Sequence, residues 1–360
     1  MDESEREWLE VRAYLQEHRF RLGVEAAEEF GGHLKVFGTP LVARAEWVPA
    51  WPVPLQDVQL RLIDGRRSVP TSRELGAVLP AGDENYSDAF GRLAAPRVFQ
   101  NRSTYRLVDV EKGACLLTFC DGSYFDSLDA GEASGHAFAA ERLGRDAGGI
   151  RRAVGDPCDP QRRGMNLAVS ALTVRYDPEH DSAEFFLHWR DPAKVGHAGG
   201  LYQVVPSGVF QASGDGAWNR AADFSLVRFL AREYAEELGG RDEEYDNAEQ
   251  GIDYDAWPFA RDFAAALDGG GARAWCLGIG VDPLTFATDL LAVVVFDAAV
   301  FDGLFGRVVA DNDEGRVLAG RPFTEAEVRR FVEGEPMQAA GAAILAGAWR
   351  HREVLLPHLP

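Results

Sequence analysis

Apolar residues return near a 3.6 period over residues 4–30, where Trp8, Val11, Leu15, Phe20, Leu22 and Ala26 predict an amphipathic helix. The proline-rich stretch "WVPAWPVPLQDV" that follows cannot continue it, because proline lacks the amide proton and clashes with the preceding turn. Extended edges and turns are expected there. In "VQLRLID" and "STYRLVDVEKGACLLTFCDGSYFD" the period falls to two, as in half-buried strands. Helical spacing returns over 130–143. Residues 144–164, "GRDAGGIRRAVGDPCDPQRRG", mix Gly, Pro, Arg and Asp with no sustained apolar period, which marks a domain boundary. The sequence shows no internal repeat, heptad array or low-complexity tract.

The second half opens with strands. "AVSALTVRYD" (168–177) and "AEFFLHWRD" (183–191) flank the turn-forming "PEHDS", and "GLYQVVPSGVF" (200–210) runs as a strand into a Pro-Ser-Gly turn. Residues 223–240, "DFSLVRFLAREYAEELGG", then carry a helix. Val227, Leu230, Ala231, Tyr234 and Leu238 form its apolar stripe, with Asp223 as the expected N-cap and Gly239 at the C-terminal cap. "RAWCLGIGV" and "DLLAVVVFD" are further strands. "TEAEVRRFVEG" and "MQAAGAAILAGAWRHREVLL" predict two helices over the sheet, the small residues of 339–348 suiting close packing there or a dimer contact.

At 360 residues, 46% of them hydrophobic and 26% charged, the chain can bury a core and form two domains. Its formal net charge of −20, from 57 acidic and 37 basic residues, argues against sequence-independent nucleic-acid binding. A small anion would need a local positive site or a metal ion. Cys115 and Cys120 are within reach of a zinc half-site, but no second Cys/His pair of matching spacing follows, so the four cysteines read as ordinary thiols. "MDESEREWLE" lacks the basic-then-apolar order of a signal peptide, and "LLAVVVF" at 290–296 is too short to span a bilayer. A cytoplasmic protein without a membrane partner is expected.

The chemistry candidate lies beside the apolar stripe. Glu233, Glu236 and Glu237 stand at i, i+3 and i+4, so their carboxylates project from one side of the helix. Exposed like charges at this spacing repel by roughly a few tenths of a kcal/mol per pair. One reading is a solvated acidic face. The other is a site where a divalent cation turns that repulsion into coordination, as Mg²⁺ does with hard oxygen ligands and retained waters.

"REYAEELGG", Arg232 to Gly240, resembles the second half of the Nudix box: Arg-Glu, an apolar residue, any residue, Glu-Glu, any residue, Gly, then an apolar residue, here replaced by Gly240. The resemblance implies that Glu233, Glu236 and Glu237 bind Mg²⁺ or Mn²⁺ and that Arg232 orients them. It implies a metal-dependent hydrolase of a diphosphate joined to another moiety, such as a nucleoside diphosphate derivative. The first half of the box departs from the pattern, with Trp218 in the Gly position and Phe224 in the Glu position. Either the neighbouring Asp223 replaces that acid, or "QASGDGAWNRAAD" is an insertion that remodels the entrance. A non-catalytic, Nudix-derived ligand-binding or regulatory protein is the alternative.

Other polar residues are weaker candidates. Arg190 and Lys194, in "HWRDPAKVGHAGG" with Asp191 and His197, can meet a phosphate or belong to an ordinary surface loop; His188 reads as a core residue. Asp311, Asp313 or Glu314 can supply a further acid from a late loop that otherwise reads as a plain turn. Asp282 and Thr285 can line a pocket. Tyr254, Trp257 and Phe259 can stack a nucleobase or pack a lid. The expectation is therefore an α+β protein: residues 1–155 as an N-terminal α+β domain, and 160–360 as a Nudix-like α/β/α sandwich on a mixed sheet. Its partner would be a small phosphorylated substrate or ligand, with a homodimer allowed.

Overall fold

A computed structural model describes residues 1–96, 99–190, 199–240, 251–306 and 315–357. The chain is mixed α+β, as expected. Its centre is a nine-stranded sheet in the order Leu34–Lys35, Val42–Ala43, Ala272–Val281, Thr288–Asp297, Leu167–Asp177, Ser182–Phe185 and Arg321–Pro322. Ser207–Val209 adds to Leu167–Asp177, and Val53–Pro54 to Ala272–Val281. Thr288–Asp297 runs parallel to Leu167–Asp177 and antiparallel to Ala272–Val281, which makes the sheet mixed.

The run "LLAVVVF" is apolar throughout because its strand is covered on both faces. Leu290, Ala292, Val294 and Phe296 share a core with Phe229, Leu230 and Tyr234 of the helix Leu226–Glu237 and with Phe263 of the helix Pro258–Asp268. Leu291, Val293 and Val295 pack instead with Ala340, Ala343, Ile344 and Leu345 of the helix Ala339–Arg350. The small residues of that last helix serve the sheet: a Cβ at Gly347 would come within 2.7 Å of the Phe37 ring. Fully burying a Val, Leu or Phe side chain is worth about 1.5–3 kcal/mol, so this two-sided strand anchors the sandwich.

Two expected strands are each broken in two. "AEFFLHWRD" becomes Ser182–Phe185 in the large sheet and Leu187–Arg190 in a small sheet with Tyr202–Val204 and Gly315–Val317. "GLYQVVPSGVF" divides at a cis Val205–Pro206 peptide, so that Tyr202–Val204 and Ser207–Val209 lie in different sheets. Proline cannot donate to a ladder, and the chain changes partners there. The end of "CDGSYFD" likewise leaves its strand: Ser123 and Asp126 form a capping box that starts the helix Tyr124–Arg142.

The large sheet draws on both sides of residue 155, since residues 34–54 supply three of its short strands. Gln59–Arg66, Leu116–Ser123 and Ser103–Glu111 form a separate three-stranded sheet, beside the helices Glu3–Ala26, Tyr86–Leu93 and Tyr124–Arg142. Within 144–164, Arg163 is buried and donates to the Pro157 and Gly164 carbonyls and to Thr288 Oγ1. Burial lowers its guanidinium pKa to about 10. Arg151 donates to the carbonyls of Pro283 and Leu284. A Gly- and Pro-rich stretch thus carries two arginine staples onto the sheet. No described helix is long and apolar enough to cross a membrane.

Gly131 in the helix Tyr124–Arg142 lies so close to this staple region that a Cβ there would collide with the Thr285 carbonyl. Gly131→Ala should cost about 1–3 kcal/mol in urea denaturation, as overpacked sites do. Gly23→Ala, in open space on the first helix, should be neutral or stabilise by about 0.5–1 kcal/mol. Equal stability of Gly131→Ala and parent would show that this helix does not dock on the 282–288 turn.

Candidate functional site

The glutamate helix, Leu226–Glu237, begins two residues later than expected. Its N-cap is Ser225, whose side chain accepts the Arg228 N–H at 3.4 Å. Asp223 instead ends the short helix Ala217–Ala222 and is buried. It faces Arg232, with Nη1 and Oδ2 3.4 Å apart and both side chains almost fully enclosed. Three donors complete the Asp223 carboxylate: Ser213 N–H at 2.7 Å and Ser213 O–H at 2.6 Å on Oδ2, and Tyr254 O–H at 2.6 Å on Oδ1. Arg232 Nη2 also donates to the Gln211 carbonyl at 2.6 Å. The inserted segment "QASGDGAWNRAAD" is therefore clamped to the helix from both of its ends.

Ser207 and Gly208, expected in a Pro-Ser-Gly turn, instead open the short strand Ser207–Val209, and Glu233 and Glu237 converge on them. Glu237 is 6% exposed, and its Oε1 accepts the Ser207 N–H at 2.7 Å. Glu233 is half-buried against Gly208, where a Cβ would come within 2.7 Å of its Cδ and collide with its Oε2. Only glycine leaves that carboxylate its place. Glu236 is half-buried, one turn on from Glu233. Below the helix, the Tyr234 hydroxyl and Thr173 Oγ1 are 3.0 Å apart, and Thr173 donates to the Val205 carbonyl at 2.6 Å. These bonds tie the helix to the chain just before that strand. Burial raises the Tyr234 phenol far above its ordinary value and keeps it neutral.

Three carboxylates are a hard-oxygen donor set suited to Mg²⁺ or Mn²⁺ and poorly suited to a soft metal. The absence of a Cβ at Gly208 lets Glu233 approach the strand whose Ser207 holds Glu237. Among the described residues, His33, Asp156 and Cys158 place their ligand atoms within 4.8 Å of one another. There, however, Arg44 donates to Asp156 at 2.7 Å, and the His33 ring lies 2.9 Å from the other carboxylate oxygen. Burial and the Asp156 charge push the Cys158 thiol up to about 12. With arginine beside the acid and the thiol kept protonated, that group is an ion-pair clasp rather than a cation site.

The remaining sequence candidates fall out as follows. Arg190 ends the strand Leu187–Arg190, opposite Gly315, while Leu187 at the other end pairs with Val204, the residue that leads toward Ser207. Lys194, Asp191, His197, Asp311, Asp313 and Glu314 lie outside the described residues. His188 is buried within its strand, as expected. Asp282 closes a turn, its Oδ1 accepting the N–H groups of Leu284 and Thr285 and the Thr285 hydroxyl. Tyr254, Trp257 and Phe259 form a ring ladder with centroids 6.2 and 5.9 Å apart, and Tyr254 is tethered to Asp223. This is packing of the kind the sequence allowed. Ser170 and Asp289, by contrast, were not singled out. The only signal for Asp289 is an acid at the mouth of an otherwise apolar strand.

No family model matches the chain, and no curated protein matches it. Among solved structures it is similar to a MutT/nudix family protein from Enterococcus faecalis. Identity is 13%, the match covers 54% of this chain and 66% of that one, and the TM-score is 0.30. The chain thus spans just under two thirds of that protein's length, and a likeness of this size carries no functional argument.

Removing Arg232 would leave the Asp223 charge buried without its cation. Arg232→Met should lose about 3–5 kcal/mol of stability, the usual cost of breaking one partner of a buried pair. Arg232→Met/Asp223→Asn should recover part of that loss in a double-mutant cycle. Parent-like stability of Arg232→Met in denaturant would rule out the clamp.

Proposed function

We propose that the glutamate helix and the strand Ser207–Val209 form the active site of a divalent-metal-dependent, Nudix-type hydrolase acting on a diphosphate linked to another moiety. The substrate class is a nucleoside diphosphate derivative. The observation that carries this reading is the convergence of Glu233 and Glu237 on one short strand whose glycine makes room for a carboxylate. A solvated acidic face would not enclose Glu237 or spend a main-chain donor on it. When bound, Mg²⁺ or Mn²⁺ would neutralise phosphate charge and acidify the attacking water.

The chain's own groups do the rest. The Ser207 N–H fixes one oxygen of Glu237. Glu233 and Glu236 complete the acidic set, and a carboxylate not engaged in coordination accepts the proton of the attacking water. Arg232 acts at a distance: it holds the helix to the 211–223 segment through Asp223 and Gln211. Displacement at phosphorus depends mostly on positioning and charge neutralisation, so this inventory is chemically sufficient. Arg190 and Lys194 are proposed as phosphate contacts of the same substrate.

One observation favours the second reading, a ligand-binding protein without turnover. Phe224, at the position where the box has its first glutamate, packs against Tyr105, Phe119 and Phe210 at 4.9 to 5.8 Å between ring centroids. Asp223 next to it still supplies a buried acid for Arg232, which is why hydrolysis is preferred.

The test is phosphate release from nucleotide sugars, dinucleotides and nucleoside triphosphates with Mg²⁺ or Mn²⁺, adding a phosphatase that releases phosphate from monophosphate products. Parent turnover should fall by about 100-fold or more in Glu236→Gln/Glu237→Gln, with the fold intact. Absence of turnover on every compound, together with Mn²⁺ affinity equal in parent and variant, would refute the hydrolase.

A further inference from the structure

Behind the strand Ser207–Val209 lies a continuous chain of polar groups in an otherwise apolar sandwich. Asp289 Oδ1 accepts from Ser170 Oγ at 2.7 Å, Ser170 Oγ lies 2.8 Å from Ser207 Oγ, and the Ser207 N–H donates to Glu237 at 2.7 Å. The path crosses three neighbouring strands before reaching the helix: Ser207 is paired with Ser170, and Ser170 with Leu291, two residues from Asp289. Ser170 is fully buried and Asp289 nearly so, while Ser207 is half-buried.

The proton directions follow from counting. Burial, opposed by the Ser170 hydrogen bond and reinforced by the charge of Asp282, pushes the Asp289 carboxyl up to about 6, so it is mostly ionised at neutral pH. An ionised carboxylate only accepts, so the single Ser170 proton is committed to Asp289. The Ser207 hydroxyl must then donate to Ser170 Oγ. Gln203 Nε2, 3.4 Å from that oxygen, adds a second donor, and Gln203 is itself anchored on Gln338 at 3.2 Å. The hydroxyl contact holds Ser207 against Ser170, its partner in the strand ladder, and in that pairing the Ser207 N–H points at Glu237.

We propose that Asp289 is a positioning residue that acts through the Ser170 and Ser207 hydroxyls to aim the Ser207 N–H at the Glu237 carboxylate, and so sets the affinity of the glutamate site for a divalent cation. This rests on the cation-binding reading of Glu233, Glu236 and Glu237. Alternation along the strands puts Ser170 and Asp289 on the same face as Leu172 and Leu291, which pack against the C-terminal helix. The relay therefore connects a buried charge on one side of the sheet to a helix on the other.

Two measurements on the full chain test it. Mn²⁺ affinity is determined by titration for the parent, Asp289→Asn, Ser207→Ala, Ser207→Thr and the Asp289→Asn/Ser207→Ala double variant. The Ser207 amide resonance is followed in parent and Asp289→Asn. Each of Asp289→Asn and Ser207→Ala should weaken Mn²⁺ binding by about tenfold, as loss of a partner behind a metal ligand does. The double variant should be no weaker than the weaker single, and Ser207→Thr, which keeps the hydroxyl, should stay near the parent. Unchanged Mn²⁺ affinity in Asp289→Asn, or additive losses in the double variant, overturns the relay. If Asp289→Asn does not fold, the contrast between Ser207→Ala and Ser207→Thr decides, and equal affinity of those two overturns it. If the parent binds no Mn²⁺, the proposed function fails first, and the amide resonance then judges the relay: a shift in Asp289→Asn supports it, and an unmoved resonance overturns it.

Discussion

The buried pair of Arg232 and Asp223 is the contact on which the candidate site depends. Taking two charges out of water costs several kcal/mol per ion unless the geometry and the remaining hydrogen bonds compensate. Here Asp223 receives both donors of Ser213 and the Tyr254 hydroxyl in addition to the guanidinium, and Arg232 also satisfies the Gln211 carbonyl. The arrangement is worth less as net stability than as specificity. It leaves the helix Leu226–Glu237 one way to lie across the sheet, with its apolar stripe on Phe263 and Phe296 and its acidic side over Ser207 and Gly208.

From that placement the rest follows in order. The parallel pairing of Thr288–Asp297 with Leu167–Asp177 builds a sheet wide enough to be covered by helices on both faces. The chain changes sheets between Val204 and Ser207, which brings a glycine and a free main-chain donor to the end of the glutamate helix. In a chain of net charge −20, three acids at one spot would repel any phosphorylated ligand, so a cation is the natural mediator.

Much of this was legible in the sequence, and what was not has physical causes. The glutamate helix, its stripe and the two strands downstream follow from periodicity, because each is long enough to repeat its pattern. Asp223 and Ser225 are both good caps, and only tertiary context, the buried arginine facing Asp223, decides between them. The strands of residues 34–54 are two residues each and carry no period, so nothing local announces that they join the large sheet. Strand breaks at 186 and 205–206 reflect a change of partners rather than a change of propensity. For the site, the spacing of Glu233, Glu236 and Glu237 was readable as one helix face. The role of Gly208 as the space for Glu233 and the link from Asp289 to Ser207 were not, because both are contacts between residues far apart in the chain.

The most direct test of the central claim is the anomalous difference density of a crystal soaked in Mn²⁺. The account predicts one dominant peak within coordination distance of Glu233 and Glu237, beside the strand Ser207–Val209. A dominant peak at His33, Asp156 and Cys158, or no peak at the glutamates in a crystal where their carboxylates are well ordered, would contradict it.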